Sequence, residues 1–159
     1  MAKKTKQSKT LPINILNGPN LNLLGHREPE VYGYTTLAQI EQMCAAQAAS
    51  HGLSIVFRQS NREGEIVDHL QEARTAGSAV IINPAGYGHT SIAILDSIQA
   101  CGLPVIEVHL SNIHRREPYR NHSYVSKGAT GIIMGLGAQG YVRAVDAVAQ
   151  ILSAKGKKK

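Results

Sequence analysis

Short apolar runs alternate along the chain with longer stretches in which apolar residues recur every three or four positions. The runs have the length of strands, and the spacing of the longer stretches is typical of helices with one buried face. This alternation predicts a single α/β domain between residues 11 and 152. The strand-like runs cover residues 13–16, 53–57, 79–82, 105–108 and 131–134, and the helix-like stretches begin near residues 36, 66, 90 and 141.

The run Ala79-Val-Ile-Ile82 is apolar at every position. Such runs are typical of strands in a parallel sheet that is covered by helices on both faces. We therefore expect a flavodoxin-like three-layer sandwich with five parallel strands in the order 2-1-3-4-5. In sheets of this kind, ligands bind beyond the carboxyl ends of the strands, at the switch point between strands 1 and 3.

Polar residues cluster after the three strands that meet at this switch point. Residues 17–35 form a connection much longer than the usual strand-to-helix loop of about 2–6 residues. The three clusters predict one polar site at the carboxyl edge of the sheet. Asn17, Asn20, Asn22, Arg27 and Tyr32 follow the first strand, residues 83–91 follow the third, and residues 107–112 with Arg115, Arg116 and Arg120 follow the fourth.

The composition is that of a globular protein, with 43% hydrophobic and 18% charged residues and no apolar run of membrane-spanning length. Eight of the 17 basic residues are lysines in segments 1–10 and 153–159, so nine remain against 11 acids and the body carries −2. We expect these basic ends to be disordered rather than to bind nucleic acid. Cys44 and Cys101 have no ligand spacing, which favours reduced thiols in a cytoplasmic protein.

Two motifs suggest other kinds of site. Gly135-Leu-Gly-Ala-Gln-Gly140 matches a dinucleotide-binding fingerprint, but no acidic residue follows at the required distance, so tight packing of a strand against a helix is favoured. His109, His114 and His122 lack the spacing of a zinc site. Neither motif predicts a cofactor or a metal.

Nucleophilic chemistry also has candidates. His89, Ser91 and Asp96 are the residue types of a catalytic triad, but Ser91 has no nucleophile elbow and is better placed to cap a helix. Schiff-base chemistry needs a lysine. The body holds only Lys127, next to Gly128 in a predicted loop.

General acid–base chemistry fits the clustered residues better. His109 ends a predicted strand, and Glu107 lies two residues earlier on the same strand face, where it can orient the imidazole. Tyr32 is a possible base. A free phenol has a pKa near 10, so its ionisation at pH 7 costs about 4 kcal/mol. Arg27, on the same loop, can offset part of that cost.

These residues lie in motifs that resemble type II 3-dehydroquinate dehydratase. The resemblance covers residues 11–152 and implies the conversion of 3-dehydroquinate to 3-dehydroshikimate and water, a step of the shikimate pathway towards chorismate and the aromatic amino acids. The matching motifs are Asn17-Gly-Pro-Asn-Leu-Asn-Leu-Leu-Gly25, Arg27-Glu-Pro-Glu-Val-Tyr-Gly33, Gln59-Ser-Asn61 with Glu63-Gly-Glu65, Ile82-Asn-Pro84 with His89-Thr-Ser91, Ile106–His114 and Gly135–Tyr141.

The resemblance also implies a role for each site residue. Tyr32 would remove a proton from C2, with Arg27 favouring its phenolate, and Asn20 would stabilise the enolate through a water. His109, beside Glu107, would protonate the departing C1 hydroxyl. The expected substrate contacts are backbone N–H groups of Leu110 and Ser111 for the carboxylate, Asn83, His89 and Arg120 for the ring, Arg116 as a further arginine, and Asp96 reaching a neighbouring subunit's site.

The family works without a metal, a cofactor or a Schiff base, and its members assemble as homododecamers built from trimers. The resemblance therefore implies a cytoplasmic hydro-lyase with self-association as its main protein contact. The alternative is a non-catalytic flavodoxin-like module that binds a flavin or a small anion. Arg27 together with Tyr32 separates the two functions, because a binding module does not need an activated phenol.

Overall fold

A computed structural model describes residues 10–156 and has a five-stranded parallel sheet at its centre. The strand order is β2-β1-β3-β4-β5, which confirms the predicted flavodoxin-like order 2-1-3-4-5. Every residue of β1, β3 and β4 is buried, as expected for strands that are covered on both faces. The strands are β1 Ile13–Asn17, β2 Ile55–Gln59, β3 Ala79–Asn83, β4 Val105–His109 and β5 Gly131–Met134.

Helices cover both faces of the sheet. The first and last long helices pack over one face, and the other two pack over the opposite face, so the sheet separates two aliphatic cores. The helices are α1 Pro29–Tyr32, α2 Leu37–Ser50, α3 Glu63–Ala76, α4 Ile92–Cys101 and α5 Gln139–Gly156.

Side-chain caps fix the starts of two helices at the positions that the sequence indicates. Thr36 and Gln39 form a capping box at α2. Ser91 Oγ accepts a hydrogen bond of 2.9 Å from the Ile94 N–H and so caps α4, which is the role preferred for it over a nucleophile. The four-residue helix α1 lies inside the connection after β1, where the sequence predicts no helix.

The last helix is longer than predicted. It continues through residues 153–156, part of the segment expected to be disordered, because Ala154 and Lys155 are good helix formers that extend an already packed helix. Residues 1–9 and 157–159 of the two predicted basic ends lie outside the described residues. Between residues 10 and 156, none of the helices combines the length and the apolar character that a membrane span requires.

Two asparagines in β1 are expected to affect stability in opposite directions. Asn14 Nδ2 is buried without a hydrogen-bond partner among residues 10–156, whereas Asn17 donates to the Arg58 carbonyl (2.9 Å) and accepts from Tyr141 Oη (2.7 Å). Asn14→Val should stabilise the fold by on the order of 1 kcal/mol, because it removes an unpaired buried donor. Asn17→Val should destabilise it by about 1–3 kcal/mol.

Denaturant unfolding of the two variants beside the wild type measures both effects. The pair is matched, because the substitution and the strand are the same. An Asn14→Val variant that unfolds at lower denaturant than the wild type would contradict the first expectation.

Candidate active site

A cavity of about 200 Å³ opens at the carboxyl ends of β1, β3 and β4, where the sequence predicts the site. The residues that line it come from the three polar clusters. Most of the residues predicted for the site are therefore brought together, namely Asn20, Arg27, Tyr32, Asn83, His89, His109, Leu110, Ser111, Arg116 and Arg120.

A glycine allows the loops after β1 and β3 to meet. The Gly18 N–H donates a 2.8 Å hydrogen bond to the Asn83 carbonyl, and a Cβ at residue 18 would lie 2.3 Å from the Pro84 oxygen. A larger residue at position 18 is therefore excluded by contact with backbone. Asn20 and Ala85, from the two loops that meet here, both line the cavity.

Strained backbone marks the same loops. Asn20, Glu28 and Ala85 have φ values of 66°, 42° and 49°, in the left-handed region that residues other than glycine rarely adopt. Asparagine tolerates this region best, whereas alanine and glutamate lose roughly 1–2 kcal/mol there. The Asn20 N–H donates 2.9 Å to Asn61 Oδ1, so a residue after β2 holds the loop in place. Such strain is typical of functional loops.

Tyr32 lies between two arginines. Arg116 Nη1 donates a 2.9 Å hydrogen bond to the phenolic oxygen, and its guanidinium carbon lies 5.4 Å from the ring centroid. The Arg27 guanidinium lies 5.8 Å from the same centroid and forms a 3.4 Å ion pair with Glu28. Arg116 therefore contacts the phenolic oxygen directly, whereas Arg27, the arginine that the sequence analysis pairs with Tyr32, lies over the ring.

Contact with the phenol also changes Arg116. Burial lowers the pKa of Arg116, but the hydrogen bond and the attraction to Tyr32 outweigh it, so the net shift is upwards. Arg116 is thus held as a cation against the phenolic oxygen.

His109 and Glu107 form a buried pair on β4. His109 Nε2 lies 2.6 Å from Glu107 Oε1, and the carboxylate has no exposed surface. Burial raises the pKa of Glu107, but hydrogen bonds from His109, Ser123 and Ser126 outweigh it and lower the pKa below its usual value. The carboxylate therefore stays ionised beneath the imidazole, and His109 faces the cavity from above it.

His89 lies beside His109, with ring centroids 6.2 Å apart and ring planes inclined by 18°. Its Nδ1 lies 2.7 Å from the His122 carbonyl, and His122 Nε2 lies 2.9 Å from the His89 carbonyl. Because a carbonyl only accepts, His89 Nδ1 carries the hydrogen. Burial, together with His109, Arg120 and His122, lowers the pKa of His89 against the raising effect of that hydrogen bond. Neutral His89 thus offers Nε2 as an acceptor.

Asn83 is oriented by a tyrosine that the sequence analysis leaves without a role. Asn83 Nδ2 donates 2.9 Å to Tyr141 Oη, and Asn83 Oδ1 accepts 3.1 Å from the Ala85 N–H. Tyr141 is fully buried and donates its own hydrogen to Asn17 Oδ1. These contacts fix which way the Asn83 amide points, so its second N–H is available to the cavity.

Comparison with known proteins identifies the family. The model of the family "Dehydroquinase class II" matches residues 11–149. A 3-dehydroquinate dehydratase of Streptomyces coelicolor is 58% identical over 144 residues, covering 90% of this chain and 92% of that protein. A 3-dehydroquinate dehydratase of Phenylobacterium zucineum is 59% identical over 138 residues, covering 87% of this chain and 95% of that protein.

Solved structures agree with the sequence relatives. The crystal structure of a type II dehydroquinase from Propionibacterium acnes superposes with a TM-score of 0.85 at 40% identity, over 89% of this chain and 97% of that one. A type II dehydroquinase from Butyrivibrio crossotus also gives a TM-score of 0.85, at 37% identity, over 87% of this chain and 97% of that one.

The chain belongs to the class II dehydroquinase family.

Two residues that the family resemblance implies for the site do not line the cavity. Glu107 is absent from the lining and contacts the His109 imidazole on the side away from the cavity. Asp96 is exposed on α4 and is absent from the cavity lining. The sequence analysis gives no role to Asn61, Ser123 or Tyr141, although Asn61 and Tyr141 lie in motifs that carry the family resemblance. Each of the three holds a site residue through a contact between distant segments of the chain.

The structure also shows where the glycine motif and the lysines of the sequence analysis lie. Gly135 packs against the loop after β4, where a Cβ would lie 3.2 Å from Asn112 Cβ, and the Gly137 N–H donates 3.0 Å to the Leu110 carbonyl. The glycine motif thus supports the cavity loop. Neither lysine between residues 10 and 156, Lys127 or Lys155, lines the cavity. Over the same residues, no three metal-binding side chains come together.

Proposed function

We propose that the cavity is the active site of a 3-dehydroquinate dehydratase in which Tyr32 is the base and His109 is the acid. Membership of the class II dehydroquinase family makes the chain a hydro-lyase of this kind. The hydrogen bond between Arg116 and Tyr32 carries the assignment of the base, because it stabilises the phenolate needed to remove a proton next to a ketone.

The elimination begins at Tyr32. The phenolate removes a proton from C2 of 3-dehydroquinate, and the electron pair of the C2–H bond moves towards the C3 carbonyl to form an enolate. Asn20, held by Asn61, lies at the cavity wall and is suited to stabilise this oxygen through a water. Arg27 and Arg116 raise the positive potential around the Tyr32 phenolate, which carries the negative charge before the proton is transferred.

His109 completes the reaction. As the enolate collapses, a C1–C2 double bond forms and the C1 hydroxyl leaves with a proton from the His109 imidazolium, giving 3-dehydroshikimate and water. Glu107 balances the positive charge of the imidazolium before this transfer. Asn83, His89 and Arg120 are suited to hold the ring, and the segment Leu110–Ser111 lies where it can bind the substrate carboxylate.

A non-catalytic anion-binding module is the second candidate. Three arginines in the cavity lining would suit an anion. Such a module has no need for a guanidinium donating to a phenol or for a buried carboxylate beneath a histidine. These two arrangements favour the enzyme.

The first test is the rise in absorbance of the conjugated product when 3-dehydroquinate is added. We expect turnover to survive treatment with borohydride and substrate, because Lys127 contacts the Tyr124 ring and lies outside the cavity lining. An enzyme that forms a Schiff base between a lysine and its substrate serves as the control that loses activity. Inactivation by borohydride would contradict the acid–base mechanism, and an absence of turnover would favour the binding module.

The assembly and location of the enzyme are part of the same proposal, namely a cytoplasmic homododecamer built from trimers. Asp96 and Ile92 support self-association, because both are exposed one turn apart on α4 and the Ile92 side chain is apolar. In an assembled trimer, this helix face can deliver Asp96 to the cavity of the next subunit.

Sedimentation should give a particle mass about twelve times the 17.1 kDa mass of one chain.

Asp96→Asn should assemble normally but raise KM by about tenfold, the effect of losing one charged hydrogen bond. Asp68→Asn, at an exposed position on α3, is the matched control and should leave KM unchanged. A fully active monomer would contradict both expectations.

A further inference from the structure

Two serine hydroxyls bind the carboxylate beneath His109. Ser123 Oγ donates 2.5 Å to Glu107 Oε1, and Ser126 Oγ donates to Glu107 Oε2. With His109, three donors therefore surround one fully buried carboxylate. We propose that Ser123 and Ser126 are positioning residues that keep the proton shared by Glu107 and His109 on the imidazole. The proposal rests on the proposed function, in which the imidazolium maintained in this way donates its other proton, the one on Nδ1, to the leaving hydroxyl, because Nε2 faces Glu107.

Backbone contacts hold both hydroxyls in place. The Ser126 N–H lies 3.4 Å from Ser123 Oγ and donates to it, which leaves the Ser123 hydroxyl hydrogen free to point at Glu107. The Tyr124 N–H donates 2.8 Å to the Gly88 carbonyl, and the Val125 side chain is completely buried in the core under α4. The serines therefore approach the carboxylate from a rigid turn rather than from a mobile loop.

The pair formed by Glu107 and His109 can carry one proton in two ways. One arrangement is a carboxylate beside an imidazolium, and the other is a carboxylic acid beside a neutral imidazole. Only the imidazolium is ready to protonate the leaving hydroxyl. Burial favours the neutral arrangement, because both charges lose hydration. Hydrogen bonds to the carboxylate favour the ionised arrangement. Both arrangements hold the same number of protons, so the ratio of the ionised to the neutral arrangement does not depend on pH. The hydrogen bonds from the serines shift this ratio towards the ionised arrangement.

The neighbouring charges make this contribution necessary. His89 faces His109 from the turn after β3, at 6.2 Å between ring centroids. The other ionisable side chains of the lining are Arg27, Tyr32, Arg116 and Arg120. The three guanidinium groups make the lining positively charged, and Glu117 pairs with two of them, Arg116 and Arg120. Between residues 10 and 156, Glu107 is the carboxylate that pairs with the His109 imidazole, and the two serines are hydrogen-bonded to this carboxylate.

The kcat–pH profiles of Ser123→Ala, Ser126→Ala and the double variant test the proposal. Each substitution should lower the plateau kcat by about tenfold, the effect of one hydrogen bond to a charged group, and should change KM less. The basic limb of the profile should move to higher pH by up to about one unit, because a carboxylate with fewer donors makes the pair more basic as a whole. Loss of packing alone would lower kcat without moving this limb.

Three further variants distinguish the positioning role from a loss of packing or of hydroxyl groups in general. Ser126→Thr returns the hydroxyl at a half-buried position and should restore the wild-type profile. Ser97→Ala removes a buried hydroxyl that donates to the Ala93 carbonyl and should change neither kcat nor the profile. Glu107→Gln should move the basic limb to lower pH, opposite to the serine variants, because it removes the negative charge.

If the basic limb of the serine variants stays in place or moves to lower pH, the positioning role of the serines is wrong. If His109→Asn has at the same time lost its turnover, the proposed function itself still stands. A His109→Asn variant with wild-type turnover would overturn the proposed acid and this proposal together.

Discussion

Tyr32→Phe is expected to lower kcat by about 10²–10⁴-fold, the range for loss of a general base. The ring, its contacts with the two guanidinium groups and the shape of the cavity are retained, and only the proton acceptor is removed. Substrate affinity should therefore change little. Steady-state kinetics together with calorimetric binding of 3-dehydroquinate measure the two effects separately.

The chain offers a matched control two residues away. Tyr34 is 78% exposed and is absent from the cavity lining, so Tyr34→Phe should leave kcat unchanged. Turnover near the wild-type value in Tyr32→Phe would remove Tyr32 as the base. Arg116→Met should also lower kcat, because the phenolic oxygen loses the hydrogen bond that Arg116 donates to it.

His109→Asn should also lower kcat by about 10²–10⁴-fold, but at a later step. The amide can still donate to Glu107, so the buried carboxylate keeps a partner and the fold is retained. The enolate should still form at Tyr32 and then return to substrate. In D₂O the variant should therefore incorporate deuterium at C2 of unreacted 3-dehydroquinate, whereas Tyr32→Phe should not.

His114→Asn is the control for the histidine substitution, because His114 is exposed five residues further along the chain and lies outside the cavity lining. Wild-type turnover is expected for it. If His109→Asn raised KM and left kcat unchanged, His109 would be a binding residue and the acid would have to be sought elsewhere.

The predicted sheet illustrates what a local pattern can establish. The apolar run at Ala79–Ile82 and its counterparts could bury both faces only in a parallel sheet covered by helices, and β3 has that environment. The cap formed by Ser91 was equally readable, because a cap is a contact between residues three apart. The end of α5 could not be read from the sequence, since the end of a helix depends on how far its packing against the rest of the protein continues.

The two arginines show the limit of such patterns. Arg27 and Tyr32 are five residues apart, so the sequence paired them, whereas Arg116 reaches Tyr32 across 84 positions. No spacing rule connects Ser123 or Ser126 to Glu107 either, because their segment has no hydrophobic periodicity. Only the return of the chain after β4 brings these groups together.

The sequence by itself therefore determined the strand order, the edge of the sheet where the site lies and most of the side chains that line it. Each of these follows from local periodicity and from the rule that parallel strands end at the same edge. The tertiary structure alone decided which arginine contacts the phenol, which hydroxyls hold the buried carboxylate and which way the Asn83 amide points. Those choices depend on hydrogen-bond geometry between distant segments, and hydrogen bonds act only at contact distance.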